Sequence, residues 1–206
     1  ITDLGELRRR SIDEPEWFWD AVVRFLDFPF ADPYTRVLDT SAGIEWATWF
    51  VGGRLNLAAA LVDRWADTAP ERTAIVWEGE DGAVRQWTYA ELRRQADGCA
   101  RELGRRGVGD GDAVGIFLPM VPETVAALLG VMKAGAVFLP LFSGYGADAV
   151  ATRLNDAGAK ALICADGTYR RGRTIDMLAT AVAAKQAAPS VEWLGVVRRL
   201  GGTGGP

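Results

Sequence analysis

Apolar positions recur with two rhythms along the chain, and the change from one to the other falls near Leu55. From Glu14 to Phe28, Trp17, Phe18, Val22, Phe25 and Leu26 are interleaved with charged residues at helical spacing, which predicts a helix with one apolar stripe. Pro15 suits its first turn. Residues 29–54 keep no sustained period yet carry Trp46, Trp49 and Phe50, as expected of an irregular arm whose aromatics cover something larger.

Beyond Leu55 strand-like and helix-like runs alternate. The pattern predicts a helix at 56–67, a hairpin from 73–77 and 83–87 around Asp81-Gly82, and a helix from Tyr89 to Arg105. Thr88 and Glu91 form a capping box at that helix's start, and Gly107 suits its end. Strand 112–118, helix 122–134, strand 136–141, helix 147–157, strand 160–165, helix 174–186 and strand 191–198 follow. The strands are almost continuously apolar. That combination predicts an α/β fold, a mainly parallel sheet with helices on both faces, preceded by an irregular aromatic-rich N-terminal arm. The expected division is an arm at 1–69 and a sheet domain at 70–206.

Composition narrows the function classes. With 206 residues and 49% hydrophobic content the chain can bury a core. A net charge of -4 argues against nucleic acid as a general partner, so any basic site is local. The absence of histidine removes the commonest general base and metal ligand, so no catalytic residue and no metal site is expected, and function should rest on binding and positioning. Cys99 and Cys164 lie inside apolar runs and read as small buried hydrophobes.

The first ten residues lack the apolar stretch of a signal peptide, and the longest apolar segment, Ala113 to Ala147, is cut by Glu123, Lys133 and three prolines. A cytoplasmic protein without membrane contact is the expectation. The chain begins without Met and stops within Gly201-Gly202-Thr203-Gly204-Gly205-Pro206, which reads as the inside of a loop and predicts a fragment. That tail lacks the Lys-Ser/Thr of a phosphate-binding Walker loop.

The strongest chemical signal is Arg170-Arg171-Gly172-Arg173, between the strand-like run Ala161 to Ala165 and the helix-like run Ile175 to Lys185. Cations at a helix start are unfavourable unless an anion joins them, so three arginines there point to a phosphate. The bland alternative is an exposed, solvated helix start. A second motif competes: Gly144-Tyr145-Gly146-Ala147-Asp148-Ala149 follows a strand and opens a helix, as in dinucleotide-binding turns. Asp166 would then hold a ribose and Arg170 and Arg171 a 2′-phosphate, giving an NADP-dependent oxidoreductase. Against this, a parallel strand and helix precede the turn, and Phe142 and Ser143 lengthen it.

Several strings, in order, resemble the AMP-forming acyl-CoA synthetases, and within them the acetyl-CoA synthetase branch. They are Pro15-Glu16-Trp17-Phe18-Trp19, the run Trp49 to Ala58, Asp63-Arg64, Trp87 to Leu92, Leu118 to Glu123, Gly135-Ala136-Val137, Phe142 to Tyr145 and the arginine cluster. The resemblance implies a ligase that makes an acyl-adenylate from ATP and a short-chain carboxylate, then transfers the acyl group to coenzyme A. It assigns Phe142, Ser143 and Gly144 to the coenzyme's adenine, Arg170 and Arg173 to its 3′-phosphate, and Ile175 to the lining of the adenine pocket. Arginine's planar donor fork suits a phosphate, and glycine admits a ring close to the backbone. The chain departs from the family pattern at Ser143, where glycine is usual, at Ala147, where proline is common, and at Arg171, usually small.

The family's phosphate loop, Tyr-x-x-Thr-Glu stretch, ribose-binding Asp and adenylation Lys are not in these residues, which implies that ATP and magnesium belong to a full-length enzyme and that this chain alone is inactive. A non-catalytic module derived from a ligase remains a further alternative. Trp17, Trp19, Trp46 and Trp49 read first as packing anchors, Glu123 as a partner of its helix dipole, and Asp63-Arg64 as a surface or interface pair.

Overall fold

The computed structural model describes residues 3–80 and 82–201, so Asp81 of the expected hairpin tip and most of the glycine-rich tail lie outside the described residues. The chain forms two compact units, Ile1–Ala60 and Leu61–Pro206.

The first unit begins with α1 (Leu4–Asp13), which the apolar pattern did not signal. Its start is set by Asp3, whose carboxylate accepts from the Gly5 and Glu6 amides. α2 (Pro15–Leu26) follows, with Pro15 in its first turn and Asp27 in a left-handed conformation at its end. Arg10 joins the two helices, ion-paired to Glu14 and stacked 3.4 Å above the Trp17 ring. The stretch that lacks a sequence period holds a short antiparallel pair, β1 (Arg36–Asp39) and β2 (Thr48–Val51). Tyr34 packs edge to face against Phe30 and Phe50 at 5.2 Å each, Phe30 and Phe50 meet tilted at 6.0 Å, and Trp19 meets Trp49 at 6.2 Å. Trp46 departs from its expected packing role. It sits with Ile44 on a single 3-10 turn, 71% exposed, because three residues of tight turn present their side chains outward.

The predicted helix at 56–67 is present as a helical run over 57–68, with a π-helical turn at Ala59–Asp63 that leads into α3 (Arg64–Thr68). β3 (Thr73–Glu78) and β4 (Val84–Thr88) form the expected hairpin, and α4 (Tyr89–Arg105) starts on the Thr88/Glu91 capping box. β5 (Ala113–Phe117), α5 (Pro122–Lys133), β6 (Val137–Pro140), α6 (Ala147–Asp156) and β7 (Ala161–Ala165) then alternate. A two-stranded ribbon, β8 (Gly167–Arg170) and β9 (Arg173–Asp176), interrupts the alternation before α7 (Met177–Gln186) and β10 (Trp193–Val197).

The four-stranded sheet has the order β10-β7-β5-β6 with every pairing parallel. The crossover from β5 to β6 runs one way across it, while those from β6 to β7 and from β7 to β10 run the other. Right-handed crossovers therefore set α5 on one face and α6 and α7 on the opposite one. The packing agrees, since α4 lies along α5 and α6 along α7. β7, covered on both faces and flanked on both edges, is buried at all its positions, which is why its sequence is continuously apolar.

Cys164 belongs to this core, and Cys99 packs half-buried against it. Burial pushes the Cys99 thiol up to about 11, and burial followed by the Asp166 charge pushes Cys164 up to about 12. Lys133, at the end of α5, donates to Asp63 and Asp97 at 2.5 Å each. Its burial opposes the charge, but the two carboxylates outweigh that and hold its pKa above the usual lysine value. Glu123 has a partner besides its helix dipole: both its oxygens accept from Arg85 on β4.

Candidate functional site

In an open doubly wound sheet, ligands bind outside the carboxyl ends of the strands, where adjacent strands send their crossovers to opposite faces. Here that point lies between β5 and β7. A cleft of about 230 Å³ opens there, lined by Pro119 to Val121 after β5, Ser143 after β6, Thr168 to Arg170 after β7, Arg199 after β10, and Trp77 to Glu80 at the end of β3.

The arginine cluster does not sit at a helix start. Arg170 pairs with Arg173 across the β8–β9 ribbon, and the two residues between them, Arg171 and Gly172, have φ of 52° and 71°. Two positive φ values in a two-residue loop match the twist of a hairpin. α7 begins only at Met177, capped by the Asp176 side chain, which accepts from the Ala179 amide at 2.9 Å. The expected helix at 174–186 thus starts three residues later, and the arginine cluster lies outside its first turn, where the helix dipole does not act on it. Gly172 is the physical reason: it permits the turn that folds Thr174 and Ile175 back onto Tyr169 and Thr168.

The ribbon nevertheless collects its charges. Side chains alternate along a strand, so Thr168, Arg170, Arg173 and Ile175, two cross-strand pairs, share one face. Arg173 is exposed, and Ile175 is half-buried beside the buried Thr168. On the turn after β6, Phe142 is 56% exposed with its ring edge-on to Tyr145 at 5.5 Å, and Ser143 is half-buried in the cleft. Gly144 joins turn and ribbon. A Cβ there would stand 2.6 Å from Phe142 Cε1 and 2.9 Å from Arg170 Nη1, so both side chains would have to move away to admit one. The Arg170 guanidinium lies 5.8 Å from the Phe142 ring centroid. Phe142, Ser143, Gly144 and Arg170 therefore come together, with Arg173 and Ile175 continuing along the same ribbon face. Among the described residues, neither Arg170 nor Arg173 makes an ion pair.

Asp166 is engaged in a way that the ribose reading did not anticipate. Its carboxylate accepts from the backbone amides of Gly167, Arg199 and Leu200 at 2.9, 2.7 and 3.1 Å, and its carbonyl accepts from those of Met177 and Leu178. A carboxylate so occupied ties backbone segments together and is not offered to a ribose. Arg199, stacked on Trp77 and Tyr169, was not singled out in the sequence. It follows an apolar strand with no local motif, and only the closure of the sheet brings it beside Arg170. Among the described residues no group of three His, Cys, Asp or Glu side chains could hold a metal ion. No helix is long and apolar enough to cross a membrane.

A cleft at the switch point of a parallel sheet is where open α/β folds take their ligands, and unpaired arginines beside a glycine turn suit an anion. Comparison with known proteins is more specific. Residues 62–201 match the AMP-binding enzyme family, and residues 4–60 match the acetyl-coenzyme A synthetase N-terminus. The chain belongs to the AMP-binding enzyme family. It is 40% identical over 194 residues to the acetyl-coenzyme A synthetase of Deinococcus radiodurans, covering 94% of this chain and 29% of that protein. The acetyl-coenzyme A synthetase of Mycobacterium tuberculosis is 41% identical over 201 residues, covering 96% of this chain and 30% of the relative. Among solved structures, the acetoacetyl-CoA synthetase from Streptomyces lividans superposes with a TM-score of 0.90 at 33% identity, over 100% of this chain and 31% of the other. The chain thus spans about 30% of the length of the curated relatives it matches.

Proposed function

We propose that the chain supplies part of the coenzyme A nucleotide site of an AMP-forming ligase that joins a short-chain carboxylate such as acetate to the coenzyme's thiol. Phe142, Ser143 and Gly144 take the adenine, Arg170 and Arg173 the 3′-phosphate, and Ile175 lines the adenine pocket. The observation that carries this reading is the meeting of turn and ribbon at Gly144, where a ring, a bare backbone and an unpaired guanidinium converge. An adenosine 3′-phosphate presents the complementary set, a flat base and a dianion within one nucleoside. A cytoplasmic location goes with this reading, as do ATP and magnesium as requirements of the whole enzyme.

The chain alone is inactive in this account, because it spans about 30% of the length of its relatives and does not contain the phosphate loop and adenylation lysine that the family resemblance calls for. Incubated with ATP, acetate and coenzyme A it releases no pyrophosphate; turnover above a mock purification overturns that part. For the site, the Arg170→Ala/Arg173→Ala double variant should bind coenzyme A at least tenfold more weakly by calorimetry, since each lost charge-assisted contact is worth roughly a factor of ten or more. An unchanged affinity refutes the assignment.

A further inference from the structure

The cleft holds a second guanidinium beyond the six residues assigned to the nucleotide. Arg199 Cζ lies 4.7 Å above the Trp77 ring centroid and 5.2 Å above that of Tyr169. Two aromatic faces restrict this planar group without neutralising it. Trp77 is itself fixed, its indole N–H donating to the Met120 carbonyl at 2.6 Å. The Arg199 backbone is held by Asp166, whose carboxylate takes the Arg199 amide at 2.7 Å and, at 2.9 Å, the amide of Gly167 at the root of the ribbon that carries Arg170. One carboxylate therefore sets two arginine-bearing segments against each other.

Among the described residues Arg199, like Arg170, has no ion-pair partner, although the exposed Glu78 and Glu80 also line the cleft. Those carboxylates decide what sort of anion suits the place. Two negative charges in the lining offset guanidinium charge there, so a densely charged terminal phosphate gains little beside Arg199. A diphosphate diester, with one charge on each phosphate, still gains the directed N–H donors.

We infer that this cleft is a diphosphate subsite, in which Arg199 holds the diphosphate bridge of a nucleotide whose 3′-phosphate lies on the ribbon face of Arg170 and Arg173, and that Asp166 is the positioning residue for Arg199. The inference rests on the coenzyme A reading, and it adds a residue and a chemical group that reading does not use.

The indole N–H resonance of Trp77, assigned with a Trp77→Phe variant, reports on this cleft in the full 206-residue chain. Two probes separate the parts of the nucleotide: dephospho-coenzyme A keeps the diphosphate and lacks the 3′-phosphate, while adenosine 3′-phosphate is the reverse. Dephospho-coenzyme A should shift the Trp77 signal. Arg199→Gln keeps a planar group between the rings but loses the charge, and should raise the Kd for dephospho-coenzyme A about tenfold while leaving adenosine 3′-phosphate within about twofold. Asp166→Asn should follow the same pattern more weakly, a selectivity that general loosening of the fold would not give. Should the Gln variant unfold, Arg199→Lys carries the test, with an expected loss of about threefold for dephospho-coenzyme A alone, since lysine keeps the charge without the fork. No Trp77 response to dephospho-coenzyme A, an unaltered Kd in the Arg199 variants, or equal weakening of both probes overturns the subsite. Arg173→Ala reads the coenzyme assignment separately. It should weaken adenosine 3′-phosphate only, and if it does not, that assignment falls while the Arg199 result stands.

Discussion

β7 and the β8–β9 ribbon are neighbours in the chain, yet they invest their residues in opposite ways. Every residue of β7 is buried, and the strand is hydrogen-bonded on both edges. The ribbon that follows pairs only with itself and exposes Arg170, Arg171, Gly172 and Arg173. Burial in the sheet stabilises the fold and leaves nothing for a ligand to touch, while the ribbon contributes little burial and keeps its charges accessible. Asp166 sits at the junction and hands the rigidity of the one to the other.

The division predicts a large asymmetry in stability. Leu162, fully buried on β7, should cost about 2–5 kcal/mol when replaced by Ala, because the flanking helices only partly close the cavity. Arg173→Ala should change stability by no more than about 0.5 kcal/mol. Urea unfolding of both variants is the measurement. Similar losses in the two would mean that the ribbon is part of the core.

What the sequence disclosed follows the same line. The parallel strands and their helices were legible because they are covered on both faces, so burial wrote itself into continuous apolar runs, and their ends fell within about two residues of those expected except at the start of α7. The Thr88/Glu91 cap was legible because it is local chemistry. The ribbon was not, since its strands have four residues each and its polar face hides the period of two behind three arginines. α1 escaped for a related reason: none of its residues is buried, so it has no apolar stripe to announce it. Of the six candidate residues, Arg170 and Arg173 stood out as a charged cluster and Gly144 as part of a glycine turn, whereas Phe142, Ser143 and Ile175 could be named only through family resemblance. Arg199 and Asp166 could not be linked at all without the sheet order that brings the ends of β7 and β10 side by side.

Thiol chemistry sharpens the comparison at its boundary, because Cys164 is the penultimate residue of β7 and lies two positions before Asp166. With Cys99 raised to about 11 and Cys164 to about 12, native thiolate at pH 8 is scarce, and alkylation by iodoacetamide should run at least about a hundredfold slower than in urea. The sign of the pH effect follows. Folded-state values above the unfolded thiol value of about 8.5 stabilise the fold below that pH, and this contribution fades as pH rises from about 8.5 toward 11 and 12. Rapid native labelling of Cys164 at pH 8 would show that the end of β7 opens along with the ribbon.

The smallest effect tests whether the ribbon's turn and its arginines are separate devices. Arg171 holds a φ of 52°, a conformation that costs a side-chain-bearing residue about 1 kcal/mol and that asparagine tolerates best apart from glycine. Arg171→Asn would create Asn-Gly, the dipeptide that two-residue hairpin loops favour most. A gain of about 0.5 kcal/mol is expected, seen as a small rise in the urea midpoint. Coenzyme A affinity should stay within about twofold, because Arg171 lies in the loop and outside the face shared by Arg170 and Arg173. A loss of binding as large as that of Arg173→Ala would instead place the loop itself against the phosphate, and the turn would then count as part of the recognition surface and not merely as its support.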